Sequence, residues 1–163
     1  RVMEHGYIHG SHSNELCRFV QEIEMKAGMN YGKITQAYQN AENQALQETS
    51  DPHLIVLTMF NALLKSMGIF AENIDISNGG QPELKSKHFA RSLTIIYALQ
   101  TSLDFEKGGD IAENLFQLYE FARQKMMEDL KTGKLDGTLQ AIHCLADIRD
   151  AWDEMGKQNA QHG

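Results

Sequence analysis

The sequence predicts an all-α fold: an antiparallel up-down-up-down four-helix bundle with a short N-terminal capping helix. Three observations lead there. Apolar residues recur at intervals of three and four along four long stretches. Only two prolines and two Gly-Gly pairs interrupt the chain, which leaves those stretches free to be helical. No run alternates apolar and polar residues in a way that fits a strand better than a helix.

Residues 1–30 read as a flexible extension. Arg1 to Asn14 has no periodicity, and Leu16, Phe19, Val20 and Ile23 then make a short amphipathic turn or two that ends at Gly28. Met29 offers an alternative start, which would make everything before it upstream or non-native sequence. From Tyr31 to Leu46, Tyr31, Ile34, Tyr38, Ala41 and Ala45 fall at helical intervals. The stretch is weakly apolar, as expected of a cap over 31–47 laid on a larger body.

The first strong helix opens at "TSDPHL", where Asp51 suits the N-cap and Pro52 the first helical position. Leu57, Phe60, Leu64, Met67, Ala71 and Ile74 follow a 3-4-3-4-3 spacing, which implies a helix of roughly 23 residues and ~35 Å. "SNGG" stops it. The second helix starts at Pro82 with the stripe Phe89, Leu93, Ile96, Leu99 and Leu103. The third follows a turn at Lys107-Gly108-Gly109, with Ile111, Leu115, Leu118, Ala122, Met126 and Leu130 inward. The fourth follows "TGKLDG" with Leu139, Ile142, Leu145, Ile148, Trp152 and Met155, and ends at Gly156. Short loops return each helix beside its predecessor, so directions alternate. Residues 31–157 form one domain and 158–163 a polar tail.

Composition narrows the function. The chain has 163 residues, 42% of them hydrophobic, and a formal charge of −7 with 15 basic residues scattered among 22 acidic ones. Binding a phosphate backbone needs clustered Lys and Arg, so nucleic acid is not an expected partner. No stretch approaches ~20 consecutive apolar residues, so no membrane span is expected. Cys17 and Cys144 are far apart, without a CxxC pair, and read as buried free thiols of a reducing compartment. The polar, histidine-rich N-terminus lacks a signal peptide's apolar core, and the reading is cytoplasmic.

Catalysis and metal binding find no support in the sequence, and no cofactor is expected. Di-metal bundles need Glu-x-x-His on two helices, a pattern that does not occur here. Asp147 and Asp150 flank Arg149 and read as a solvated face. His143 and Cys144 are adjacent on a helix and cannot face each other. His5, His9 and His12 lie on the extension and are not expected to hold a metal. Gly108-Gly109 lacks the residues of a phosphate loop, and Asp104, Glu106 and Asp110 would repel an anion.

What remains is apolar surplus. Leu54, Ile55, Val56, Leu57, Met59, Phe60, Leu63 and Leu64 leave the first helix almost no polar face, and Phe116, Tyr119 and Phe121 lie outside the third helix's expected stripe. Such a surface must be covered. The Tyr31–Leu46 segment is one candidate cover, and a second molecule, either another copy or a client, is the other.

Four stretches taken in order carry a resemblance. They are Ala37-Tyr38, "SDPHLI" at Ser50–Ile55, "SLDFEKGGDIAENLFQLYEF" at Ser102–Phe121, and "IRDAWDEM" near the end. From about Tyr31 to Met155 the chain resembles the flagellin-specific export chaperone family FliS. The resemblance implies a cytoplasmic four-helix bundle that binds the C-terminal segment of flagellin, prevents its premature polymerisation and aids delivery to the type III export gate. It implies that Tyr38 and Ile34 form a displaceable cap, and that grooves lined by residues such as Leu57, Phe60, Leu64, Leu93 and Tyr97 take the client. Asn114 and Tyr119 fall in the family-like stretch. Asn114 is suited to bond a client's backbone, although an amide bonded within the protein or to water fits as well. An export-gate component or a co-chaperone are further partners, with the protein a monomer or homodimer. The alternative is a homodimeric helical adaptor without a flagellin client. Three features depart from the family: Met59-Phe60-Asn61-Ala62 where Leu-Tyr-Asp-Gly is frequent, a longer "ISNGGQPELKSK" loop, and residues 1–30, which have no counterpart.

Overall fold

The computed structural model describes residues 52–162. The expected cap over 31–47, the Asp51 N-cap and the extension over 1–30 lie outside the described residues. Within them the fold is all-helical, with four long helices and no strand. These are α1 (Pro52–Glu72), α2 (Pro82–Thr101), α3 (Phe105–Thr132) and α4 (Asp136–His162), with one 3-10 turn at Ile76–Asn78.

Each boundary has a local cause. Beyond α1, Asp75 accepts from the Ser77 amide at 3.0 Å to start the 3-10 turn, and Gly79 ends it at φ +93. Gly80 is irreplaceable on space alone, because a β-carbon there would fall 2.5 Å from the Asn73 carbonyl oxygen. Asn73 then ties the loop to α2 by accepting from the Gln81 amide at 3.0 Å. Gly133, at φ +74, ends α3 by donating to the Asp129 carbonyl. The buried Asp129 side chain also accepts from the Thr138 amide at 2.6 Å, so a residue of α3 caps the first turn of α4.

α1 packs on α2 and α4, and α3 packs on α4 and α2. Ile55, Val56, Met59, Phe60, Leu63, Met67 and Phe70 of α1 meet Ile95, Ile96 and Leu99 of α2 and Leu145, Ile148 and Trp152 of α4 in one core. Phe70 lies 5.3 Å from Phe89, centroid to centroid.

The structure corrects four expectations. The turn expected at Lys107–Gly109 lies earlier: α2 ends at Thr101, and Asp104 caps α3 through the amides of Glu106 and Lys107. Gly109 (φ 48, ψ −127) is a kink one turn inside α3, a backbone conformation open to glycine because it has no β-carbon. α4 does not stop at Gly156 but continues to His162, since one glycine costs a helix only about 1 kcal/mol. The inward face of α3 is rotated from the expected one: Tyr119 is buried, Leu118 is half-buried and Leu130 is exposed. On α4, likewise, Ala141 is buried and Leu139 is exposed. By length and composition alone, His53–Glu72 of α1 is also long and apolar enough to cross a membrane, which does not overturn the expectation of no span. Half of that window is buried inside the fold, as the core helix of a bundle requires.

Candidate partner-binding surface

The residues expected to touch a partner fall into three groups. Ile34 and Tyr38 lie outside the described residues. Phe60 and Tyr119 are closed off in the core, with ring centroids 6.4 Å apart. Neither offers surface to a partner in this structure. Burial also pushes the Tyr119 phenol well above its ordinary pKa. The other five, Leu57, Leu64, Leu93, Tyr97 and Asn114, are half-buried or exposed, and four of them divide between two seams.

The first seam joins α1 and α4. Arg149 Nη1 donates to Asn61 Oδ1 at 3.0 Å, so the Asn61 face of α1 looks toward α4. Leu57 and Leu64, four residues before and three after Asn61, share that face. Both are half-buried, as is Ile142 on α4. Toward the end of this seam His53 stacks on Trp152, with centroids 4.7 Å apart and planes 11° from parallel. Trp152 Nε1 donates to the His53 carbonyl at 2.9 Å. Gly156 makes room for the imidazole: a β-carbon there would lie 2.5 Å from His53 Nε2.

The second seam joins α2 and α3. Gln100 donates to Glu120 at 3.1 Å, and Arg123 bonds Glu120 and, through Nη1, the Met127 sulfur at 3.0 Å. These bonds, from Arg123 first and Gln100 second, hold the Glu120 carboxyl below the ordinary carboxylate range. Leu93 and Tyr97 precede Gln100 by seven and three residues and share its face of α2. Tyr97 is 68% exposed. Across the seam Phe116 lies one turn before Glu120, and the exposed Phe105 meets it edge-on at 6.0 Å. The kink at Gly109 separates the turn carrying Phe105 from the rest of α3.

Asn114 is exposed on α3. Leu54, part of the apolar surplus, is exposed, and sequence reasoning missed Phe105 and Leu139 as surface residues, both large and exposed. Leu139 had been assigned to the core stripe, and only the fold reveals that Ala141 takes its place. Among the polar candidates, Asp150 is exposed and pairs with Arg149 at 2.7 Å. Cys144 is half-buried, and burial, with the Asp147 charge second, pushes its thiol upward. Cys17 lies outside the described residues.

Four packed helices with large apolar side chains left open along their outer seams make an all-helical scaffold with apolar surface to cover. Residues 34–159 match the family model described as flagellar protein FliS, and the chain belongs to that family. It is 27% identical over 120 residues to the flagellar secretion chaperone FliS of Vibrio cholerae, covering 74% of this chain and 86% of that one. The flagellar secretion chaperone FliS of Salmonella typhimurium is 27% identical over 127 residues, 73% of this chain and 87% of its own. The flagellar secretion chaperone FliSB of Pseudomonas aeruginosa is 23% identical over 121 residues, 74% of this chain and 94% of its own.

Proposed function

We propose that the protein is a cytoplasmic flagellar secretion chaperone that acts by binding, without catalysis. Its client is the C-terminal region of flagellin, held from premature polymerisation and passed to the flagellar type III export apparatus. The observation that carries this reading is the family match over residues 34–159, which spans all but the last turn of the four-helix body. Half-buried and exposed apolar side chains along two seams give it a physical form.

In this reading the helices form an up-down-up-down bundle. The crossing contacts support that arrangement, since residue numbers rise on one helix as they fall on its neighbour: His53 with Trp152 and Asn61 with Arg149, Ser66 with His88 and Ile74 with Lys85. The client lies along the seams, against Leu57 and Leu64 on one side and Leu93 and Tyr97 on the other. Asn114 is available to bond its backbone, and Phe60 and Tyr119 support the walls from beneath. The segment carrying Ile34 and Tyr38 is the displaceable cap. A client segment that folds as it binds buries on the order of 1,000–3,000 Å² and gives a strongly negative heat-capacity change.

Titration calorimetry with a flagellin fragment of about 50 C-terminal residues, long enough to bury such an area, tests the reading. One-to-one binding with that heat-capacity signature is expected. Absence of binding at tens of micromolar protein would overturn it in favour of a self-associating adaptor.

A further inference from the structure

The charges of this protein are unevenly placed. Residues 52–101, which hold α1 and α2, carry four basic side chains against three acidic ones, a net +1. Residues 102–163, which hold α3 and α4, carry seven against twelve, a net −5. Within the first half the cations gather where α1 meets α2. Ser66 Oγ and His88 Nδ1 approach to 3.4 Å across that seam, and each is preceded in the chain by a lysine, Lys65 and Lys87. Both lysines thus stand one residue from the same crossing, near enough for their charges to act on the His88 imidazole. Burial first, and then the charges of Lys87 and Lys65, lower the His88 pKa. Arg91, half-buried, lies one turn beyond Lys87 on α2.

Among the described residues no carboxylate pairs with either lysine. Both are exposed, whereas cations of α3 and α4 such as Arg123, Lys125, Arg149 and Lys157 pair with nearby carboxylates. Glu83, one turn before Lys87 on α2, forms no ion pair with it. Half-buried Ile69, one turn after Lys65, and Leu84, one turn before His88, give the same seam an apolar border. Like charges held together in an otherwise acidic molecule repel one another, and a carboxylate placed between them would relieve that repulsion.

We propose that the α1–α2 seam is the docking position of an acidic, amphipathic stretch of the client, its carboxylates held by Lys65 and Lys87 and its apolar face set against Ile69 and Leu84. The proposal rests on the chaperone reading above and adds the orientation of the client. The acidic part of the client is drawn to α1–α2 and repelled by α3–α4, so the charge pattern selects one direction of wrapping. Charges at such a rim act chiefly on the association rate and its salt dependence.

The test is stopped-flow association of the same C-terminal flagellin fragment with the full chain and with a Lys65→Glu, Lys87→Glu double variant, at low salt and at about 0.5 M salt. The expected result is association slowed about tenfold or more in the variant at low salt, with the difference nearly abolished at high salt. A Lys65→Gln, Lys87→Gln variant, which removes charge without adding any, should show a smaller slowing in the same direction. It also serves as the readout if the glutamate variant melts early. Equal rates and equal salt slopes for the wild-type chain and the Gln variant would overturn the proposal while leaving the chaperone reading intact. Failure of the wild-type chain to bind the fragment would overturn both.

Discussion

Where α1 meets α4, a histidine ring lies flat on the indole of Trp152 and over a glycine; where α2 meets α3, Gln100, Glu120 and Arg123 span a half-open groove with Tyr97 exposed beside it. The first contact excludes water and fixes distances by shape. The second is joined by charge-assisted bonds near solvent, which contribute little individually and can rearrange without opening the core. Of these two contacts, the first therefore contributes more to stability, and the second leaves more room to adapt to a ligand. A chaperone that must stay folded while its surface is remade by a client needs both.

Substitutions can break or sharpen this contrast. Trp152→Ala should have the largest effect: it removes a buried ring, its stacking on His53 and a bond to the His53 carbonyl, at about 3–5 kcal/mol by denaturant unfolding. Gly109→Ala follows, because a β-carbon at φ +48 is strained; a loss of about 1–3 kcal/mol or a straightened helix that separates Phe105 from Phe116 is expected. Gly156→Ala sets two effects against each other. Alanine is favoured in a helix by about 1 kcal/mol, but the added carbon meets the His53 ring, and overpacking costs about 1–3 kcal/mol. Net destabilisation in thermal melts is expected, and a net gain would mean that the His53 ring swings aside freely.

At the other seam the effects should be small. Glu120 is held below its ordinary pKa, so its contribution to stability is present above the unfolded carboxylate pKa and lost as pH falls through the folded one. Glu120→Gln should therefore cost under about 1 kcal/mol near neutral pH, because solvent screens the partly exposed Arg123, and the difference should vanish in acid. Smallest of all, Tyr97→Ser should shift stability by no more than about 0.5 kcal/mol. The same variant should weaken binding of the flagellin fragment about tenfold, measured by calorimetry. Unchanged binding would move the client off this seam.

The helices were legible in the sequence because their signals are local. Pro82 opens α2, Gly133 closes α3, and the 3-4 spacing predicts much of the buried face of α1, with Phe60, Met67 and Ala71 inside, and Ile74 just beyond its end. Finer assignments failed where two residues satisfy the same period. Leu118 and Tyr119 both stand three or four places from Leu115 and from Ala122, so periodicity does not distinguish them. Tyr119 takes the inward position among the small side chains of Ala112 and Ala122, a choice made by space across the core. On α4 the buried turn before Leu145 is made by Thr138 and Ala141, whose small side chains give a weaker apolar signal than the exposed Leu139. The Gly-Gly pair was misread as a loop because Asp104, a sufficient cap, stands earlier in the chain. Of the candidate surface, exposed Tyr97 and half-buried Leu57, Leu64 and Leu93 were legible as apolar positions beyond what one core needs. Their division between two seams was not, because it depends on which neighbour each helix face meets.

The stacked pair at the α1–α4 end has one more consequence. Trp152 is the chain's single tryptophan. Its emission therefore comes from one place, buried beneath His53 where α1 begins. Any event that lifts the start of α1 from α4, whether unfolding, client loading or release, uncovers that indole to water and shifts its fluorescence to the red. The protein thus carries its own optical gauge of the state of the bundle, readable without a label.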